Sequence, residues 1–370
     1  MSIKVALIGV GGYGYVYMEH LCRLVEEKRI ELIAAAEVAP EKCLDRIENL
    51  EKHGAKIVKD AAQIYTMEPH CDLICLPVGI ESHAPLAIEA LKHNCNVMVE
   101  KPLAGSMSDV QELIAARNAA GRFVAVGFQH SYEPGMHKIK QLLLSGVLGS
   151  VKKIKVMGRW ARGNAYYQRN NWAGKELGRR TTILDSPFCN AFAHYINLAL
   201  FLAGTSMDSA AHPEIISGEL SRSRDIEMFD TGIVRFQANG ADGLAMFTHC
   251  CAENCAPQIV WECSNGMIKF TENSNWQVFD GSGKELTEYQ SPCQSFHRPM
   301  FDAVINRINN PEQFICTPEI AQEHVHFITE LHKKAAITTL PETAYTIRES
   351  DGVRINNGLA ETWDKIFQQA

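Results

Sequence analysis

The first strand-like run of the chain, Ile3–Ile8, leads straight into Gly9-Val-Gly-Gly-Tyr-Gly14. A GxGxxG that follows a strand and opens a helix constrains the fold more than any other feature of this sequence. Gly9 allows the tight turn, Gly11 lets backbone approach a pyrophosphate, and Gly14 lets helix and strand pack closely. Gly12 and Tyr13 complete the loop. The helical pattern that follows, Tyr15–Lys28, would turn its free N–H groups and positive dipole end towards phosphates. Glu37 closes the next strand, 23 residues past Gly14. A carboxylate there accepts hydrogen bonds from ribose hydroxyls and repels a 2′-phosphate. Val38, Ala39 and Pro40 supply no arginine for such a phosphate, so NAD is expected over NADP.

Apolar runs continue to alternate with helical stretches: Leu32–Glu37, Leu73–Leu76, Val97–Val99 and Phe123–Val126 are separated by Pro40–Leu50, Ala84–His93 and Ser108–Ala120. This alternation predicts a doubly wound parallel sheet, an N-terminal Rossmann domain over residues 1–128. The pattern then changes. After a helix at Pro134–Ser145, strand-like segments dominate: Val151–Trp160, Glu214–Ser221, Thr231–Gln237, Gly243–Cys250, Gln258–Cys263, Met267–Thr271 and Trp276–Phe279. Ser264-Asn265-Gly266 is a hairpin signal between two of them. Residues 129–370 are therefore expected to form an α+β domain with a large, mostly antiparallel open sheet, for substrate binding and oligomerisation. Helices at Phe188–Ala203, Phe296–Asn306, Pro318–Ala335 and Leu359–Gln368 would cover one face. The uncovered apolar face predicts a homodimer or homotetramer.

Composition excludes several classes. A net charge of −7 over 370 residues is wrong for general nucleic-acid binding, which needs a cationic surplus. The twelve cysteines are scattered through a long chain, several inside apolar runs, so they read as small core residues and not as a disulfide set. Only Cys250, Cys251 and Cys255 beside His249 invite thought of a metal, and their spacing lacks the paired ligands of a zinc site; no metal is expected. The 22 uncharged residues between Asp185 and Asp208 are interrupted by Pro187, Asn190, His194 and Asn197, which fits a buried helix better than a membrane span. Lys4 and the short run Val5–Ile8 do not form a signal peptide, so a cytoplasmic protein is expected.

Two further stretches stand out: Asp72-Leu-Ile-Cys-Leu-Pro-Val-Gly-Ile-Glu-Ser-His83 and Val97-Met-Val-Glu-Lys-Pro-Leu103. With the glycine loop before them, they resemble the glucose–fructose oxidoreductase/inositol dehydrogenase (Gfo/Idh/MocA) family, the triplet Glu100-Lys101-Pro102 being the specific element. The resemblance implies that Leu76, Pro77, His83, Glu100, Lys101 and Gln129 join Gly9, Gly11, Gly12, Tyr13, Gly14 and Glu37 in binding NAD. It implies that Lys101 lies where nicotinamide meets substrate, hydrogen-bonds the reacting hydroxyl and helps move its proton. It also implies a cis peptide bond before Pro102. The family's DxxxH element falls on Asn190-Ala-Phe-Ala-His194, with asparagine in place of the usual aspartate. Residues four apart on a helix share a face, so Asn190 and His194 would point into one site. Histidine can exchange a proton near neutral pH; asparagine can only orient a hydroxyl. Asp185, further upstream, is an alternative carboxylate of lower rank.

The window Arg159–Trp172 holds four aromatic residues, Trp160, Tyr166, Tyr167 and Trp172. Rings of this kind cover sugar C–H faces. Lys152–Arg180 also carries nine Lys or Arg residues against one acid, Glu176, which would attract an anionic sugar. Arg162 and Arg169 are the substrate candidates, whereas Lys152, Lys153 and Lys155 are expected on a strand edge facing solvent or a neighbouring subunit. The leading expectation is an NAD-dependent dehydrogenase acting on a CH–OH group of a sugar, sugar acid or polyol. The alternatives are an NAD-dependent glycosidase using transient oxidation and a non-catalytic NAD-binding sensor.

Overall fold

A computed structural model describes residues 2–271, 275–290 and 296–370. The chain divides into two compact units. Unit 1 comprises Met1–Tyr132 and Ser295–Pro318, and unit 2 comprises Glu133–Gln294 and Glu319–Ala370.

Among the described residues, unit 1 is built on a six-stranded parallel sheet: β1 (Ile3–Ile8), β2 (Ile30–Ala36), β3 (Lys56–Val58), β4 (Leu73–Leu76), β5 (Asn96–Val99) and β6 (Val124–Val126), in the order β3-β2-β1-β4-β5-β6. Helices α1 (Gly14–Glu26), α2 (Leu44–Lys52), α3 (Ile80–Lys92) and α4 (Met107–Ala120) connect them. Every residue of β4, β5 and β6 is buried, as near-continuous apolar strands between helix layers must be. Local chemistry ends the helices: Ser106 Oγ accepts from Asp109 N at the start of α4, and Gly121 closes it in the left-handed conformation at φ +60°. Strand order reverses between β1 and β4, which opens a crevice at the carboxyl ends of the strands. The short strand β3 and the break at Cys43 before α2 are not visible in the sequence pattern, because three residues carry no period.

Unit 2 is dominated by β7 (Val151–Arg159), β8 (Pro213–Arg222), β9 (Thr231–Ala238), β10 (Ala241–Thr248), β11 (Cys255–Cys263), β12 (Gly266–Thr271), β13 (Asn275–Asp280), β14 (Glu285–Gln290) and β15 (Ile337–Thr339). Their order is β14-β13-β12-β11-β7-β10-β9-β8-β15, antiparallel except for β7 with β10 and β8 with β15. Cys263 pairs with Gly266, so Ser264-Asn265 is the two-residue hairpin loop that the sequence signals. Helices α5 (Pro134–Leu144), α6 (Asn164–Gln168) and α7 (Ala193–Leu202) precede the main run of strands.

Four expectations need correction. The single domain cut near residue 128 fails because the chain returns to unit 1 between β14 and β15 of the large sheet. There α8 (His297–Asn309) sets Phe301 against Tyr17 and His20 of α1, and Val126 N donates to Cys316 O. The helices do not all cover one face of the large sheet, because side chains alternate across a strand. On one side, Gly158 lies so near Phe192 that a Cβ would come within 2.6 Å of the ring, and Trp261 Nε1 donates to Ala199 O of α7. On the other, Met157, Leu244, Met246 and Val260 pack against Trp363 and Phe367 of α10 (Leu359–Gln369), so this apolar patch is covered by the chain itself. α9 (Pro318–Lys334) belongs to unit 2 from Glu319 onward. The lysines of β7 are not on an edge either. The strand is central, Lys155 is buried with Nζ 2.6 Å from Glu262, and Lys153 Nζ bonds the Ala370 carbonyl. Finally, Asn190 and His194 do not share one α-helix. Residues 187–191 form a π-turn, Phe192 breaks it, and α7 starts afresh at Ala193. A small ribbon of β16 (Tyr345–Ile347) and β17 (Arg354–Asn356) completes unit 2. No two of the eleven described cysteines are joined by a disulfide, and Cys293 lies outside the described residues.

Candidate active site

In unit 1 the glycine loop joins β1 to α1. Gly9 adopts φ +95°, and a Cβ on it would meet Val78 Cγ1 at 2.8 Å. A Cβ on Gly14 would fall 2.3 Å from the Gly9 carbonyl, so only glycine lets helix and strand approach this closely. At Gly11 a Cβ finds only Glu37 Oε2, at 3.5 Å, and at Gly12 nothing within 4 Å; the loop is open where a ligand would approach. Glu37, just beyond β2, accepts from Val10 N and Gly11 N at 2.8 Å each and from Ala39 N at 3.1 Å. Burial works against this carboxylate's charge, but the backbone donors prevail and hold its pKa below the usual range. Tyr13 OH bonds His297 Nε2 at 2.6 Å.

Residues 38–40 carry no cation, but one reaches the loop from α2. Arg46, on α2, donates to Val10 O at 3.0 Å and to Gly12 O at 3.3 Å, and its guanidinium lies 5.5 Å from the Tyr15 ring centre. It reaches the loop only through the helix packing of the folded chain.

The remaining unit 1 candidates follow the carboxyl ends of neighbouring strands. Leu76 ends β4 and Pro77 succeeds it. Glu100 succeeds β5, accepting from Tyr17 OH at 2.9 Å and from Lys101 N at 3.1 Å. Burial raises the Glu100 pKa. The Lys101–Pro102 bond is cis, as the resemblance implied. His83 sits between two carbonyls, Pro102 O at 2.7 Å and Val78 O at 3.0 Å, so its ring ties the two segments together. Burial lowers its pKa to about 4. Gln129 begins a 3-10 turn shortly after β6, and its Oε1 is buried with no donor among the described residues.

Unit 2 gathers the aromatic window. Arg162 lies over Trp160 at 5.4 Å and Tyr166 at 5.2 Å. Arg169 stacks on Tyr166 at 3.8 Å and lies 5.0 Å from Trp172. Its Nη2 is 3.5 Å from Asp185 Oδ2, so this arginine is already balanced by a carboxylate. Burial pushes the Tyr166 phenol up to about 12. Asp185 also accepts from Gly174 N at 2.7 Å and from Asn190 Nδ2 at 2.9 Å. His194 occupies the first turn of α7, half-buried.

His249, weighed in the sequence only as a metal ligand, joins this group. Its Nδ1 is 3.0 Å from Tyr167 OH and its ring meets Tyr166 edge-on. Nε2 is buried without a partner among the described residues. Burial, with Arg162, Arg169 and Arg224 nearby, lowers its pKa well below the ordinary value and keeps the ring neutral. Among the described residues no three His, Cys, Asp or Glu side chains are grouped to hold a metal ion.

Residues 3–128 match the family described as "Oxidoreductase family, NAD-binding Rossmann fold", Gfo/Idh/MocA. An inositol 2-dehydrogenase of Rubrobacter xylanophilus is 30% identical over 155 residues, 40% of this chain and 41% of that protein. The chain thus spans about two fifths of the length of this curated relative. Among solved structures, the WlbA dehydrogenase of Bordetella pertussis, in complex with NADH and UDP-GlcNAcA, superposes with a TM-score of 0.72 at 21% identity, covering 90% of this chain and 96% of that one. The 3-ketoreductase KijD10 of Actinomadura kijaniata, in complex with NADP and TDP-benzene, gives 0.71 at 15% identity, covering 92% and 100%. At these identities the two structures establish a shared fold. No described helix is long and apolar enough to cross a membrane.

Proposed function

We propose that this chain is an NAD(H)-dependent oxidoreductase acting on a secondary alcohol or ketone of a sugar, sugar acid or polyol, a reading supported by the match of residues 3–128 to the Gfo/Idh/MocA oxidoreductase family. The observation that carries the cofactor reading is the Glu37 carboxylate, set 2.8 Å from both Val10 N and Gly11 N at the mouth of an open glycine loop. The residues fit a dinucleotide: Gly9 and Gly14 leave no room for side chains, and Gln129 presents a buried acceptor suited to an amide N–H. When bound, NAD supplies the hydride acceptor.

The chain's own residues do the rest. Gly9, Gly11, Gly12, Tyr13 and Gly14 cradle the pyrophosphate, and Glu37 accepts the ribose hydroxyls. Leu76 and Pro77 wall the cofactor, and His83 and Glu100 fix the backbone on either side of Lys101. Lys101 hydrogen-bonds the reacting hydroxyl and takes its proton, and His194 serves as a second proton carrier. Asn190, held by Asp185, orients a hydroxyl. Tyr166, Tyr167 and Trp172 cover C–H faces, with Arg162 and Arg169 at the polar edge.

The inositol dehydrogenase relative and the sugar-nucleotide ligand of the WlbA neighbour support a sugar-related substrate class. The proposal includes a cytoplasmic enzyme; the homodimer or homotetramer expected from an uncovered apolar face loses that support, because α10 covers the patch, and light scattering tests it. For the reaction, NAD reduction is followed against a panel of sugars, sugar acids and inositols. NADH formation with at least one compound is expected, and a blank panel with both NAD and NADP overturns the reading.

A further inference from the structure

Unit 2 contains a cleft of about 660 Å³ next to the aromatic window. This lies within the roughly 300–1,000 Å³ typical of small-molecule sites. Lys175, Arg222, Arg224 and Arg354 line it, against Asp225 and Glu227. Among the described residues, none of the four cations forms a salt bridge.

Arg224 is 7% exposed, so its charge is held away from water. Its Nη atoms donate to Asn164 Oδ1 at 2.9 Å and to the carbonyls of Arg162 and Gly352 at 2.7 and 2.8 Å. Its Nε is buried with no partner among the described residues. A buried guanidinium without a carboxylate is costly, because neutral oxygens replace hydration but not the counter-charge. Arg222 uses Nε and Nη1 on Thr339 and on the carbonyls of Ile226 and Glu227. Arg354 uses Nε and Nη1 on long bonds of 3.4 Å to carbonyls. Each therefore keeps an Nη2 for a ligand, and the Lys175 ammonium is exposed. The two acids leave a surplus of two positive charges, the charge of one phosphoryl dianion. Glu227 Oε2 accepts from Glu176 N at 2.9 Å, and the other carboxylate oxygens of the pair are acceptors for hydroxyls.

We infer that this cleft binds the phosphoryl group of a polyhydroxylated phosphate ester, its hydroxyls directed to Asp225 and Glu227. Planar guanidinium forks match phosphate oxygens in pairs, which favours phosphoryl over a single carboxylate. Tyr167, assigned above to the C–H faces of the substrate, also lines the cleft and bonds His249. Binding itself does not depend on the redox reading.

The test is calorimetric titration of the full chain, without NAD, with inorganic phosphate, a hexose 6-phosphate, the same hexose and the corresponding sugar acid. The phosphate ester is expected to bind at least about tenfold tighter than the hexose or the acid. Lys175→Glu, at a lysine whose side chain makes no hydrogen bond among the described residues, and Arg354→Ala should each weaken it about tenfold, and Lys59→Glu on unit 1 should leave it unchanged. If the bound ester is also oxidised in the NAD assay, the phosphoryl group belongs to the substrate. If it binds without being oxidised, it is a separate ligand of the same site. No binding of phosphate or its ester, equal binding of the sugar acid, or full affinity in both cleft variants overturns the inference.

Discussion

Asn190 donates through Nδ2 to Asp185 Oδ1 at 2.9 Å. The carboxylate missing from position 190 thus stands next to it, buried, and also holds Gly174 N and lies near Arg169. Asp185→Ala leaves a buried backbone donor and an amide without their acceptor, at a cost of about 1–3 kcal/mol for each unsatisfied donor. Thermal denaturation should show a clear fall in Tm together with a fall in kcat/KM. Asn190→Ala, at a half-buried position, should lower kcat/KM with little change in Tm. An Asp185→Ala variant as stable as the parent would contradict this arrangement.

Cofactor choice rests on Glu37 and Arg46, which meet the same loop. The carboxylate opposes a 2′-phosphate, so kcat/KM should favour NAD. Glu37→Ala removes the repulsion and leaves Arg46 able to turn to a phosphate, so the preference should shift towards NADP by about tenfold or more, the effect of one favourable charge contact. A tenfold preference of the unmodified protein for NADP would sink the assignment.

Gly11 separates cofactor binding from folding. Its added Cβ meets only Glu37 Oε2, at ordinary contact distance of 3.5 Å, so Gly11→Ala should fold with a Tm close to the parent. Yet the methyl group stands where backbone must approach pyrophosphate. NAD affinity by calorimetry should fall about tenfold or more. Unaltered affinity would place the dinucleotide elsewhere.

Buried neutral histidines set an acid limit. Burial lowers His83 and His130 from 6.5 to about 4 each. Between those values the unfolded chain binds protons that the folded chain refuses, so stability declines as pH falls from about 6.5 towards 4. At full effect this is about 3 kcal/mol per histidine. Calorimetry should show Tm beginning to fall below pH 6.5, ahead of the carboxylates. A Tm that is level down to pH 5 would be inconsistent with it.

Trp363 is 4% exposed on the second face of the large sheet. Trp363→Ala should cost about 3–5 kcal/mol, the usual loss for a buried aromatic. Removing α10 altogether would bare Met157, Leu244, Met246 and Val260 and should promote self-association in light scattering. A truncated chain with unchanged association would show that this patch needs no cover.

The sequence makes the parallel sheet legible because its strands are apolar on both sides and its turns carry glycine. Leu73–Leu76 and Ile3–Ile8 fall where their patterns end. The short strands β3, β15, β16 and β17 escape, since three residues hold no period. So does the return of α8 to unit 1: an amphipathic helix announces that it will bury a face, not against what. The same limit governs the site. Glu37 is found because its partners lie in a fixed motif, whereas Arg46, His249 and Arg224 acquire theirs only through tertiary packing. Asp185 is undervalued because the π-turn at 187–191 brings Asn190 back to it, and no helical spacing describes that turn.

Lys101 tests the central claim most directly, because it alone is assigned contact with the reacting hydroxyl from unit 1. Steady-state NAD reduction with the best substrate of the panel should fall by about 10² or more in kcat in Lys101→Ala, with the Kd for NAD within a few-fold of the parent. Turnover near the parent rate in a variant that still binds NAD would contradict the account.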